Sequence, residues 1–184
     1  MPELLARLTV RAQNVGERSN GGTGGITPQD IAAACAGMTH AQYLLILRIY
    51  THDTSVQSRL FYLVYDQAMT IATRGRWRLP AGKELVRKMV GLALAEIIEP
   101  VSCHVCGGKC EVWLKGMSVP TICKDCKGTG KRAATSRHRA AALELDESTF
   151  AKYWRDRYEQ IYAHVRELDS DGLRKIKKRL LSES

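Results

Sequence analysis

The sequence has no apolar stretch long enough to cross a bilayer; its most strongly apolar run, Tyr43 to Leu47, is little more than one helical turn. The N-terminus lacks the continuous apolar core of a signal peptide. A soluble, cytoplasmic protein is expected, with no membrane partner. Catalytic motifs are also missing. There is no His-Glu-x-x-His, no phosphate-binding glycine loop and no nucleophile beside a base. The protein is therefore expected not to be an enzyme and to take no small-molecule substrate. Acidic residues are few: 19 Asp and Glu stand against 28 Lys and Arg, a formal net charge of +9. The shortfall is sharper in residues 101–184, with 11 acids against 17 bases. Such an excess favours a polyanionic partner, most simply nucleic acid.

What is present centres on cysteine. Cys103-His-Val-Cys106 is followed by sixteen residues and then Cys123-Lys-Asp-Cys126. Two Cys-x-x-Cys pairs at that separation predict one shared zinc site, because zinc takes four soft ligands in a tetrahedron and a structural site closes all four with protein. In a reducing compartment, six cysteines argue for metal rather than disulfides. One structural Zn2+ held by Cys103, Cys106, Cys123 and Cys126 is the expected cofactor, and its thiolates lower the working charge to about +7. Gly107, Gly108, Gly128 and Gly130 follow the pairs and permit left-handed backbone that turns amides toward sulfur. Cys110 is expected to be free or beside the site rather than a ligand. His104 is expected to donate to sulfur or face solvent, and Cys35 to act as a small buried hydrophobe. A closed four-thiolate site has no open position for activating water.

Around the second pair, Lys124, Lys127, Lys131, Arg132, Arg137 and Arg139 face only Asp125 between positions 123 and 139. Held on a metal-braced loop, they predict a DNA-binding surface.

Elsewhere the fold reads as mainly α. Residues 1–26 form a flexible segment, with Asn20-Gly-Gly-Thr-Gly-Gly25 as a linker. Residues 27–100 read as a helical bundle. Thr27-Pro28-Gln29-Asp30 starts one helix and Gly37 ends it. Thr39 caps a second, almost wholly apolar helix, which belongs in a core rather than in a DNA groove. Helices over 55–73 and 83–98 follow, and Trp77 in the arginine-rich connection reads as a core anchor. Residues 101–132 form the zinc-binding finger, a ribbon-like knuckle with a short β-hairpin over 111–122. Residues 133–184 hold a helix-turn-helix and a C-terminal basic helix. Thr135 or Ser136 starts the first helix, Glu144-Leu-Asp146 is the turn, and a longer helix runs toward Leu168. Phe150, Trp154, Tyr158 and Ile161 form its buried stripe. Lys152, Tyr153, Arg155 and Arg157 lie off that stripe; the first three are candidate DNA contacts. A separate helix is expected over 173–181.

The ordered set resembles a known family. Cys123-Lys-Asp-Cys-Lys-Gly-Thr-Gly130, a basic stretch, Ser136-Arg-His-Arg-Ala-Ala-Ala-Leu143, a turn and Phe150-Ala-Lys-Tyr-Trp154 leading to Tyr158 and Tyr162 are similar to the lambda-type phage late-gene antitermination proteins, the Q family. The Ile26-Thr-Pro-Gln-Asp-Ile31 helix start adds to the likeness, which covers residues 24–168. The resemblance implies binding to double-stranded DNA at a late promoter. It also implies engagement of host RNA polymerase paused with sigma factor attached, in the bacterial host cytoplasm, and read-through of terminators. Cys110 departs from the family pattern, which has glycine there. Two other classes remain open: a DnaJ-like zinc module that binds polypeptide, and a thiol oxidoreductase.

Overall fold

The computed structural model describes residues 35–77, 82–113 and 119–182. The expected flexible segment 1–26, and the expected helix from Thr27 as far as residue 34, lie outside them. The described chain is mainly helical. Its elements are α1 (His40–Tyr50), α2 (Gln57–Arg74), α3 (Gly82–Ile98), β1 (Glu111–Val112), β2 (Thr121–Ile122), α4 (Ser136–Ala142), α5 (Glu147–Thr149), a π-helical turn (Phe150–Trp154) and α6 (Arg155–Ser182). The two strands pair antiparallel, Glu111 opposite Ile122 and Val112 opposite Thr121. Among the described residues, no helix is long and apolar enough to cross a membrane.

The chain divides into two compact units. One combines the described residues up to Thr70 with those from Ala163 onward; the other is Ile71–Tyr162. These boundaries differ from the expected segmentation, in which 27–100 formed one bundle and 133–184 one C-terminal module. The contacts explain the difference, because α3 makes ion pairs with residues far downstream, while the second half of α6 docks on α1.

In the first unit, Thr39 caps α1 through a reciprocal pair. Its hydroxyl accepts from the Gln42 amide and its own amide donates to the Gln42 side chain. The core is built from Leu44, Leu45 and Ile46 of α1, Leu60, Val64 and Ala68 of α2, and Val165, Leu168 and Ile176 of α6. α6 is one continuous helix to Ser182, not a helix ending near 168 with a second over 173–181. Asp169-Ser-Asp-Gly172 resembles a turn in sequence, yet its residues have tertiary partners. The Tyr50 hydroxyl donates to Asp169 at 3.2 Å, and Lys175 Nζ donates to the Gly37 carbonyl at 2.9 Å and the Gln42 side chain at 3.0 Å. A Cβ on Gly172 would stand 3.2 Å from Ile46 Cγ1, so the glycine permits close approach rather than ending the helix.

In the second unit, α3 buries Leu85, Val86, Met89, Val90, Ala93 and Leu94. Thr135 caps α4 by accepting from the His138 amide. The turn runs through Leu143 and Glu144, the latter at φ +59°, and Asp146 caps the next helix by accepting from the Thr149 amide at 2.9 Å. Phe150, Trp154, Tyr158, Ile161, Val165 and Leu168 form one buried stripe at spacings of three and four residues, running from the π-helical turn into α6.

Candidate metal centre

The metal centre is two copies of one local motif. Cys103 to Cys110 and Cys123 to Gly130 have matching backbone. Gly107 and Lys127 lie at φ +57° and +52°, Gly108 and Gly128 at +85° and +81°, Cys110 and Gly130 at +68° and +69°. The Lys109 amide donates to the Cys106 carbonyl and the Thr129 amide to the Cys126 carbonyl, each at 3.0 Å. The copies then bond to each other reciprocally. The Cys103 amide donates to the Gly130 carbonyl at 2.8 Å, and the Cys123 amide to the Cys110 carbonyl at 2.9 Å. The Ser102–Lys131 bridge and the Glu111–Ile122 pair extend the same relation. The two knuckles are therefore related by an approximate two-fold.

This pairing brings all four predicted thiols together, buried, with their sulfurs within 4.8 Å of one another. Cys103 Sγ lies 3.9 Å from Cys123 Sγ, and Cys106 Sγ lies 3.7 Å from Cys126 Sγ. A tetrahedral ion with metal–sulfur bonds of ~2.3 Å sets neighbouring sulfurs ~3.8 Å apart. A disulfide needs ~2.05 Å, and all four cysteines are free thiols. The thiol cluster is suited to hold a metal ion. It is a buried cluster within the finger, and among the described residues Val112 is the partly buried apolar residue packed against it. Among the described residues, no other group of three or more His, Cys, Asp or Glu side chains is placed to share an ion.

As free thiols these cysteines are uneven. The Cys106 amide draws the Cys103 thiol down, but burial and the Asp125 carboxylate outweigh it and leave it at about 12. Burial pushes the Cys126 thiol up, and the Gly130 amide with the neighbouring Cys106 and Cys123 thiols brings it down to about 7. The Gly130 amide donates to Cys126 Sγ at 3.3 Å, the kind of bond that supports a thiolate. His104 is exposed, with Nδ1 3.9 Å from the Asp125 carboxylate. Cys110 stands outside the cluster, its Sγ 3.7 Å from the Gly108 carbonyl. Its left-handed backbone explains why glycine would suit that position.

The basic residues divide into two classes. Lys124, Lys127, Lys131, Arg132 and Arg137 are exposed and form no ion pair with the described residues. Arg139 does not belong with them. Its side chain is only 11% exposed, with Nε 3.0 Å and Nη2 2.8 Å from the two oxygens of Glu96, and Nη1 pairs with Glu159. Its guanidinium also lies 4.6 Å from the Tyr158 ring and 5.3 Å from Tyr162. Its cation is taken up by these internal partners, which sets it apart from the five exposed residues expected beside it. Arg157, also expected to reach outward, is taken up between Trp77 at 5.7 Å and Trp154 at 4.7 Å. Lys152, Tyr153 and Arg155 are exposed on the π turn and the start of α6, with Lys152 Nζ 5.0 Å from the Tyr153 ring.

Sequence reasoning missed the Glu96–Arg139–Glu159 network, whose members are 43 and 20 positions apart. It assigned a hairpin over 111–122 without saying which of its apolar residues are buried. Trp113 is 70%, Val119 65% and Ile122 66% exposed. The alternation of Val112 with its neighbours was the available signal. No protein-family model matches the chain, and no curated protein matches it.

Proposed function

We propose that this protein is a zinc-containing, DNA-binding transcription antitermination factor, not an enzyme. In this reading it binds double-stranded DNA at a late promoter, engages sigma-bearing paused RNA polymerase and renders it indifferent to terminators. The polymerase part rests on the resemblance of the ordered motifs. The DNA part rests chiefly on one observation: five exposed cations that form no ion pair with the described residues cluster on and just behind two paired knuckles. A four-thiolate set with no carboxylate or imidazole favours zinc, and leaves the ion a structural role with no open coordination position.

The two knuckles and the helices α4 to α6 up to Tyr162 belong to one compact unit. The arrangement supports a finger and an adjacent helix-turn-helix used together. Lys124, Lys127, Lys131, Arg132 and Arg137 would neutralise phosphates, while Lys152, Tyr153 and Arg155 on the second helix would reach the groove. The clustering of four thiols around one point, rather than one pair at a helix start, speaks against thiol exchange.

The test is run-off transcription past a terminator from the cognate late promoter, with and without the protein, beside binding to that promoter duplex over a salt series. Read-through is expected, with a log–log salt slope of about −4 if the five cations meet phosphates. Equal affinity for unrelated duplexes together with no read-through would refute the proposal.

A further inference from the structure

Among the described residues of the hairpin, Val112 alone packs against the thiol cluster. Its neighbours Glu111 and Trp113 therefore turn to the opposite face. The register sets Ile122 across from Glu111, on that same outer face. A Cβ on Gly128 would lie 3.3 Å from Ile122 Cγ2, so Ile122 rests against the second knuckle turn beside Lys127. Trp113 and Ile122 are 70% and 66% exposed and leave an apolar surface in water.

The approximate two-fold supplies an internal control. The position equivalent to Ile122 is Ser102, which meets Gly108 as Ile122 meets Gly128. The position equivalent to Trp113, three residues past the knuckle, is Ala133. The same backbone thus forms with serine and alanine where this face has isoleucine and tryptophan. The knuckle pairing does not require a large exposed ring, and its presence needs another explanation.

We propose that this face is a stacking platform for single-stranded nucleic acid. Trp113 offers a flat ring to an unpaired base, Ile122 extends the apolar floor, and Lys109, Lys124 and Lys127 on the adjoining knuckle turns hold the strand's phosphates. All three lysines are exposed and form no ion pair with the described residues. An exposed aromatic beside a basic path is the composition of single-strand sites. Protein–protein interface cores are instead depleted in lysine, which disfavours a polypeptide as the occupant. A duplex hides its base faces and gives Trp113 nothing to stack on. The inference shares Lys124 and Lys127 with the duplex contacts proposed above, but it turns on Trp113 and an unpaired strand, so it does not depend on promoter recognition or antitermination.

The experiment uses the full, metal-loaded chain and a fluorescently labelled oligothymidine, with a duplex and heparin as comparisons. Trp113→Ala should weaken oligothymidine binding roughly ten- to hundredfold, while duplex and heparin binding stay within about twofold. Trp113→Phe should restore most of the loss. In the wild type, oligothymidine should shield tryptophan from acrylamide quenching, since Trp154 is buried and Trp113 is the most exposed of the three. That readout stands even if the alanine variant fails to retain its metal. Unchanged oligothymidine affinity in Trp113→Ala, equal losses for heparin, or stronger shielding by an acidic apolar peptide than by oligothymidine would each overturn the proposal. The last outcome would assign the face to a protein partner.

Discussion

Arg139→Met tests whether this arginine is a clamp or a DNA contact. Both members of the Arg139–Glu96 pair are largely buried, at 11% and 13% side-chain exposure, and the contact is two-pronged. Removing one partner of a buried pair costs about 3–5 kcal/mol, because the other charge is left without compensation. Glu159 is half exposed and adds little. Loss of the cation from the Tyr158 and Tyr162 rings adds about 0.5–1 kcal/mol, and the methionine recovers part of the packing. The expected net loss is about 3 kcal/mol, or roughly 6–12 °C in Tm. Urea unfolding of the metal-loaded protein, followed by circular dichroism, measures it. Glu96→Met on top of Arg139→Met should restore about 2 kcal/mol, because it removes the stranded carboxylate. A loss under about 1 kcal/mol, or a double variant no more stable than the single, would refute the reasoning. So would a duplex salt slope lowered by about one in Arg139→Met, since that is the mark of a lost phosphate contact.

Other expectations follow from the same geometry. Cys123→Ser should abolish stoichiometric metal binding and loosen the finger, in which the thiol cluster is buried; elemental analysis decides it. Metal affinity should rise with pH, because Cys103 as a free thiol holds its proton to about 12 while Cys126 releases it near 7; competition with a chromophoric chelator reads the slope. Cys110→Gly should bind metal as the wild type does and gain about 0.5–1 kcal/mol, since the residue sits at φ +68°. Gly130→Ala should be strongly destabilising, because its Cβ would fall 2.6 Å from the Gly108 carbonyl; thermal melts of the pair separate the two positions. Hydrogen bonds from Ser148 and Thr149 hold the Asp146 carboxyl well below the usual carboxylate range. Its contribution is therefore present above the unfolded carboxylate value near 3.9 and is lost as pH falls below it. Asp146→Asn should retain the cap and flatten that acid limb in pH-dependent melts.

The parts legible in the sequence were those governed by neighbours along the chain. Cys-x-x-Cys spacing with its glycines specified two thiol grips, because a short loop can place two sulfurs on one ion by itself. Thr39 announced one helix start and Thr135 was one of two candidates for another, because a cap acts within three residues, whereas Asp146, read as part of the turn, caps the helix after it. The run from Phe150 to Ile161 foretold a buried stripe, though not the π turn at its start. Tertiary structure decided what each charge does. Arg137 and Arg139 are two residues apart and look alike, yet Glu96 claims only one of them, from another helix. Gly172 ends no helix because Ile46 lies against it, and Trp113 stays largely in water while its neighbour Val112 packs on the thiols. Local chemistry is encoded within a few bonds of each residue. Whether a side chain is spent inside the protein or left for a partner depends on residues tens of positions away, which only the fold brings near.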